Sequence, residues 1–140
     1  MYTKSIDSLV EYSGKDPAID RWLMHRQWVL AGFYELSKKV NHAQVDASQV
    51  RYWCQELMDY LSAGHFRIFA DLHSAGSETR SRYTHLVNTT DRLVVLQESL
   101  LTSGDDVTVI KQLLSEIGET LATQLEVEDE LIRSKITTNA

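Results

Sequence analysis

Scarcity of helix-breaking residues constrains this chain most: one proline and six glycines are spread over 140 residues. Proline and glycine are the strongest punctuation of local structure. Here Pro17, Gly14, Gly76 and Gly104 fall where a helix should begin or end, and only Gly32, Gly64 and Gly118 lie inside periodic segments. Between these breaks, apolar residues recur at three- and four-residue spacing, the signature of amphipathic helices. No segment reads as a convincing strand.

Asp16-Pro17 supplies an N-cap followed by proline at the first helical position. The helix it opens, 17–40, carries Ile19, Trp22, Leu23, Arg26, Leu30, Phe33 and Ser37. Asp46-Ala47-Ser48-Gln49 resembles a capping box and opens a second helix, 46–74, with Val50, Trp53, Leu57, Leu61, Gly64 and Ile68 on its core stripe. Ser74-Ala75-Gly76 ends that helix, and Ser77 is predicted to cap the next, 78–102. Its stripe reads Tyr83, Leu86, Val87, Thr90, Val94, Gln97 and Leu101, and it stops at Ser103-Gly104. Asp105 or Asp106 starts the last helix, 106–136, with Ile110, Leu114, Ile117, Leu121, Leu125, Glu128 and Ile132. The expected fold is all-α, an antiparallel up-down four-helix bundle in a single domain, 1–140. A short extra N-terminal helix is expected from Ile6, Leu9 and Val10, and Thr137-Thr138-Asn139-Ala140 should fray.

Composition excludes several classes. No run reaches the ~18 apolar residues of a membrane span, and the first seven residues carry no signal-peptide core. The lone Cys54 rules out an internal disulfide and fits a reducing, cytoplasmic setting. Its place at the edge of the core stripe makes it a small buried hydrophobe. Twenty acidic against 14 basic side chains give a net charge of −6, which repels phosphate backbones and favours a basic protein partner over direct nucleic-acid binding.

Two features stand apart from this pattern. Opposite the core stripe of the second helix lie Tyr52, Asp59, Ser62, Ala63 and Phe66, where a surface helix normally shows only polar groups. A ring beside a carboxylate and small residues reads either as a docking site, where small residues admit another backbone and the ring anchors it, or as one extra ring that is covered by the N-terminal segment or simply exposed. The second feature is a set of charges on buried lines. Arg26, His65 and Glu128 each lie about nine residues from one end of the bundle, hence at one level at about 1.5 Å per residue. Asn88 and Thr90 reach a similar height. Buried charges require partners, so Arg26 is expected to pair with Glu128, with His65 joining them. Such a layer either fixes helix register or, as the alternative function, holds a small ligand or metal in a sensor or enzyme. The di-iron Glu-x-x-His pattern is missing, no histidines pair at four-residue spacing, and an arginine opposes a cation. No metal, cofactor or catalytic residue is therefore expected. Phosphate loops, nucleophile elbows and Cys-x-x-Cys motifs are missing too.

Ile19-Asp20-Arg21-Trp22-Leu23, Arg26, Cys54, the block Asp59-Tyr60-Leu61-Ser62-Ala63-Gly64-His65-Phe66, and Glu128-Asp129 with Leu131-Ile132 resemble the regulator of sigma D family (Rsd/AlgQ). The likeness runs across most of the chain in order. It is weak in the middle of the third helix and around residues 40–46. The resemblance implies a helical anti-sigma factor that binds the primary sigma factor of RNA polymerase at its −35-reading region; the oligomeric state is left open, with a monomer favoured. Such a protein keeps sigma from DNA and from core polymerase as growth slows towards stationary phase. It also implies sigma contact for Asp59, Ser62 and Phe66, and an interior place for Arg26, His65 and Glu128.

Overall fold

The computed structural model describes residues 1–138, with backbone only for His73, Thr137 and Thr138. It is all-α: α1 (Tyr2–Tyr12), α2 (Pro17–Asn41), α3 (Ala47–Ala63), a π-helical turn (Gly64–Ile68), a 3-10 turn (Ala70–Ser74), α4 (Ser77–Thr102) and α5 (Val107–Thr138). Carboxylates set three of the helix starts by accepting orphan first-turn N–H groups. Asp16 accepts from Ala18 and Ile19, Asp46 from Ser48 and Gln49, and Asp106 from Thr108 and Val109. The Gln49 amide oxygen accepts instead from Lys39 Nζ at 2.8 Å. Ser77 is not a cap: Gly76 occupies that position, and Ser77 is the first helical residue. α5 runs on through Thr137 and Thr138; Asn139 and Ala140, the rest of the tail expected to fray, lie outside the described residues.

Packing follows the stripes. α2 lies against α1, α3 and α5, α3 against α4, and α4 along α5. α2 and α3 run in opposite directions, since the Trp22 indole N–H donates to the Tyr60 carbonyl while Trp53 donates to that of Val29. Gly32 makes the second contact possible: a Cβ there would sit 2.6 Å from the Trp53 ring. All seven stripe residues expected on α5 are buried, as are all six on the second helix.

Besides the Ser77 cap, three helices depart from the sequence expectations. The helix predicted over 46–74 stops being α-helical after Ala63, and the Phe69 N–H reaches back to the Gly64 carbonyl at 2.9 Å. This wider turn holds one extra residue, so Ile68 and Phe69 are both buried. Gly64 seats the Trp22 indole, which a Cβ would meet at 3.3 Å. On α4 the buried line is Leu86, Leu93, Leu96, Gln97 and Leu100; Tyr83, Val87, Thr90 and Val94 are only half-buried, and Leu101 is exposed. α4 has two interleaved apolar lines, and spacing alone does not choose between them. α1 buries Ser5, Ser8 and Tyr12 and leaves Ile6 and Val10 exposed; Ser5 and Ser8 face Arg26 and Asp129, while Leu9 and Tyr12 pack on the apolar core.

Candidate functional site

The docking residues expected from the sequence stand on the outer side of α3 and its π turn. Asp59, Ser62 and Phe66 are exposed, Ala63 is half-buried, and Phe66 keeps 72% of its surface open. A ring so exposed contributes little to the core. The α-helix carries Asp59, Ser62 and Ala63, and the π turn then holds Phe66 outward before Ile68 re-enters the interior. Two grooves flank the ring. One, of about 270 Å³, is lined by Met58, Leu61, His65 and Phe66 on one side and by Val87, Thr90 and Val94 of α4 on the other. The second, of about 420 Å³, is lined by His25, Asp59, Ser62, Ala63, Phe66 and Arg67. His25 reaches it from α2, its Nε2 2.9 Å from Glu56 Oε2. Asp59 accepts from the Gln55 amide at 3.0 Å, which leaves carboxylate lone pairs for a basic group. The α4 wall of the first groove was missed from the sequence, since Val87, Thr90 and Val94 read there as core.

The polar layer lies inside. Arg26 and Glu128 are 0% and 1% exposed, and Nη1 of Arg26 lies 3.4 Å from Glu128 Oε1 and 2.8 Å from Asp129 Oδ1. Nε donates to Ser5 Oγ at 3.1 Å, so α1 closes the layer, and Ser8 Oγ lies 2.8 Å from Asp129 Oδ2. Nη2 of Arg26 is buried with no hydrogen-bond partner among the described residues. Tyr60 OH donates to Glu128 Oε1, and Gln124 Nε2 donates to Glu128 Oε2 at 3.2 Å and to Thr90 Oγ1 at 3.0 Å. Thr90 thus reaches the layer through Gln124, while Asn88 is exposed.

His65 does not join the layer. The π turn swings it towards α4, where its half-buried ring lies 4.7 Å from Phe66 edge-on and 6.3 Å from Tyr83 in a stack. Tyr60, Gln124 and Asp129 take the place expected for it. Tyr60 sits off the stripe read from the sequence, yet is fully buried and stacked on Trp22 at 5.1 Å.

Burial pushes the Glu128 carboxyl up to about 7, against the opposing pull of Arg26, Tyr60 and Gln124. Burial also holds the Tyr60 phenol well above its usual range, helped by the neighbouring Glu128 charge. Because Glu128 holds its proton more tightly in the folded state, its contribution to stability is full below about pH 4.5 and is lost as pH rises through about 7. That fall is worth about 3 kcal/mol. Glu128→Gln is therefore expected to flatten the decline of the urea midpoint between pH 5 and 8. An unchanged slope would assign the decline to other groups.

Among the described residues, no group of three His, Cys, Asp or Glu side chains could hold a metal ion, and no helix is long and apolar enough to cross a membrane. Cys54 is buried, its thiol pushed by burial up to about 11, which disfavours the nucleophilic thiolate.

The decisive observation is the match of residues 1–135 to the family described as regulator of RNA polymerase sigma(70) subunit, Rsd/AlgQ. The chain belongs to the Rsd/AlgQ family. It is 33% identical over 128 residues to "Regulator of sigma D" from Sodalis glossinidius, covering 86% of this chain and 88% of that one. The protein of the same name from Shigella dysenteriae is 33% identical over 141 residues, covering 91% and 89%. That of Pectobacterium carotovorum is 31% identical over 144 residues, covering 91% and 94%. As a member of the Rsd/AlgQ family the chain is a transcription regulator acting on a sigma factor of RNA polymerase. A regulator of another protein works through what it displays, which makes the exposed face rather than the buried layer the candidate surface.

Proposed function

We propose that this chain is a stoichiometric anti-sigma factor, cytoplasmic and monomeric. It binds the primary sigma factor at the basic region that reads the −35 promoter element and so limits housekeeping transcription. The observation that carries the reading is Phe66, exposed between two grooves on the outer side of a helix in an Rsd/AlgQ chain. Phe66 is the apolar anchor, Asp59 meets an arginine that would otherwise touch phosphate, and Ser62 and Ala63 let the partner backbone come close. Occupying the DNA-facing side of sigma inhibits without any chemistry. The bundle is read as four antiparallel up-down helices in one domain, 1–140, with α1 across the polar layer.

A chain of charge −6 should attract a basic sigma segment from a distance and lose that attraction as salt screens it. Purified chain is expected to capture purified primary sigma factor at low salt and to weaken steadily towards high salt. Asp59→Asn is expected to weaken capture about tenfold and to lessen its salt dependence. Failure of the wild-type chain to capture sigma at low salt would falsify the proposal.

A further inference from the structure

Trp28 and Tyr52 are 70% and 66% exposed, on the two helices that meet at the Phe66 grooves. Their positions are linked through the His25–Glu56 pair at 2.9 Å. Trp28 lies one turn beyond His25 on α2, and Tyr52 one turn before Glu56 on α3. Because the two helices are antiparallel, both steps lead away from Phe66, to the same level of the molecule. From Phe66 the outer ridge therefore reads ring, carboxylate (Asp59), carboxylate (Glu56) and then the two rings Tyr52 and Trp28. At about 1.5 Å per residue the ridge is roughly 20 Å long, about four turns of a docked helix.

The Phe66 site alone offers few residues, whereas specific interfaces engage about 20–30 residues on each side. Tryptophan and tyrosine are the side chains most enriched at the energetic centres of interfaces. Neither ring here contributes to the core, which has its own indoles in Trp22 and Trp53. Rings beside carboxylates suit a segment rich in arginine, whose guanidinium stacks on an aromatic face while its neighbours pair with acids.

We propose that the docking surface continues from Phe66 to Trp28 and Tyr52, where it takes an arginine-bearing segment of the same basic partner. This rests on the sigma-binding reading above and extends it to an aromatic platform on α2. The ridge engages guanidinium groups through the Trp28 and Tyr52 faces, with Glu56 and Asp59 between the two apolar ends.

Hydroxyl-radical footprinting with mass spectrometry, on the full chain with and without purified primary sigma factor, tests the extent of the surface. Oxidation of Trp28, Tyr52 and Phe66 is expected to slow together in the complex. Trp28→Ala with Tyr52→Ala is expected to weaken binding about tenfold or more with an unchanged melting temperature, and Trp28→Phe to retain more affinity than Trp28→Leu. Protection of Phe66 alone, with wild-type affinity in the double variant, would overturn the extended surface and leave the sigma-binding reading standing. Trp28→Leu binding as tightly as the wild type would overturn the arginine stacking. Protection of Trp28 on concentrating the chain by itself would make the ridge a self-association face and overturn the proposal. No complex at any salt would overturn both readings together.

Discussion

Arg26→Met is expected to lower the free energy of unfolding by about 3–5 kcal/mol at pH 8, the usual cost of removing one partner from a buried ion pair. Methionine refills much of the space, so the loss is electrostatic rather than a cavity effect. It falls unevenly on the partners: Asp129 keeps 21% of its side chain exposed and can rehydrate, while Glu128 at 2% cannot. Glu128 already holds its proton up to about pH 7, and loss of the guanidinium raises that value further. The penalty should therefore shrink when unfolding is repeated at pH 5.5, where Glu128 is neutral in both proteins. Adding Glu128→Gln to Arg26→Met should recover part of the stability at pH 8, a coupling read directly from a double-mutant cycle. A loss that is the same at both pH values would mean that packing, not charge, dominates the site. Retained folding with lost sigma capture would give the layer a role beyond structure, transmitted through the groove-lining Thr90 that Gln124 links to Glu128.

Phe66→Ala should show the opposite division. With the ring 72% exposed, truncation is expected to change stability by no more than about 0.5 kcal/mol. As the anchor of the docking face it should weaken sigma binding by about 2–3 kcal/mol, roughly 30- to 150-fold, as interface centres do. Titration calorimetry beside a thermal melt separates the two effects, and Phe66→Tyr should keep most of the affinity. A variant that melts earlier and binds normally would assign the ring to folding. The structure argues otherwise, since Phe69, three residues on, is the fully buried ring that packs edge-on against Trp22 at 5.3 Å.

Much of this organisation was legible from the residues. Asp16, Asp46 and Asp106 mark helix starts because a short acceptor before an apolar period satisfies the orphan N–H groups whatever the tertiary setting. All seven residues read as the α5 stripe are buried, though the buried Gln124, Val127 and Leu131 beside them were not among those read. The outer position of Asp59 and Ser62 followed from helical phase, which holds as far as Ala63; Phe66 stays on the outer side only because the π turn of Gly64–Ile68 keeps it there. Arg26 and Glu128 were identifiable as interior charges because both fall on stripes whose other members are uncharged and mostly apolar.

Tertiary contacts decided the rest. Which of two apolar lines on α4 faces inward depends on the seat offered by α3 and α5, and the losing line became the wall of a groove. The π turn exists because Phe69 and Ile68 both find buried places and Gly64 admits the Trp22 indole, an outcome that no local propensity specifies. His65, within that turn, faces the groove, and Tyr60, on α3 ahead of the turn, meets Glu128 instead. Local sequence determined where helices start and which face of a uniform helix is apolar, since both depend on neighbours a few residues away. The partners of buried charges and the phase beyond Gly64 depend on residues far apart in the chain, such as Arg26 and Glu128, and only the assembled interior brings them together.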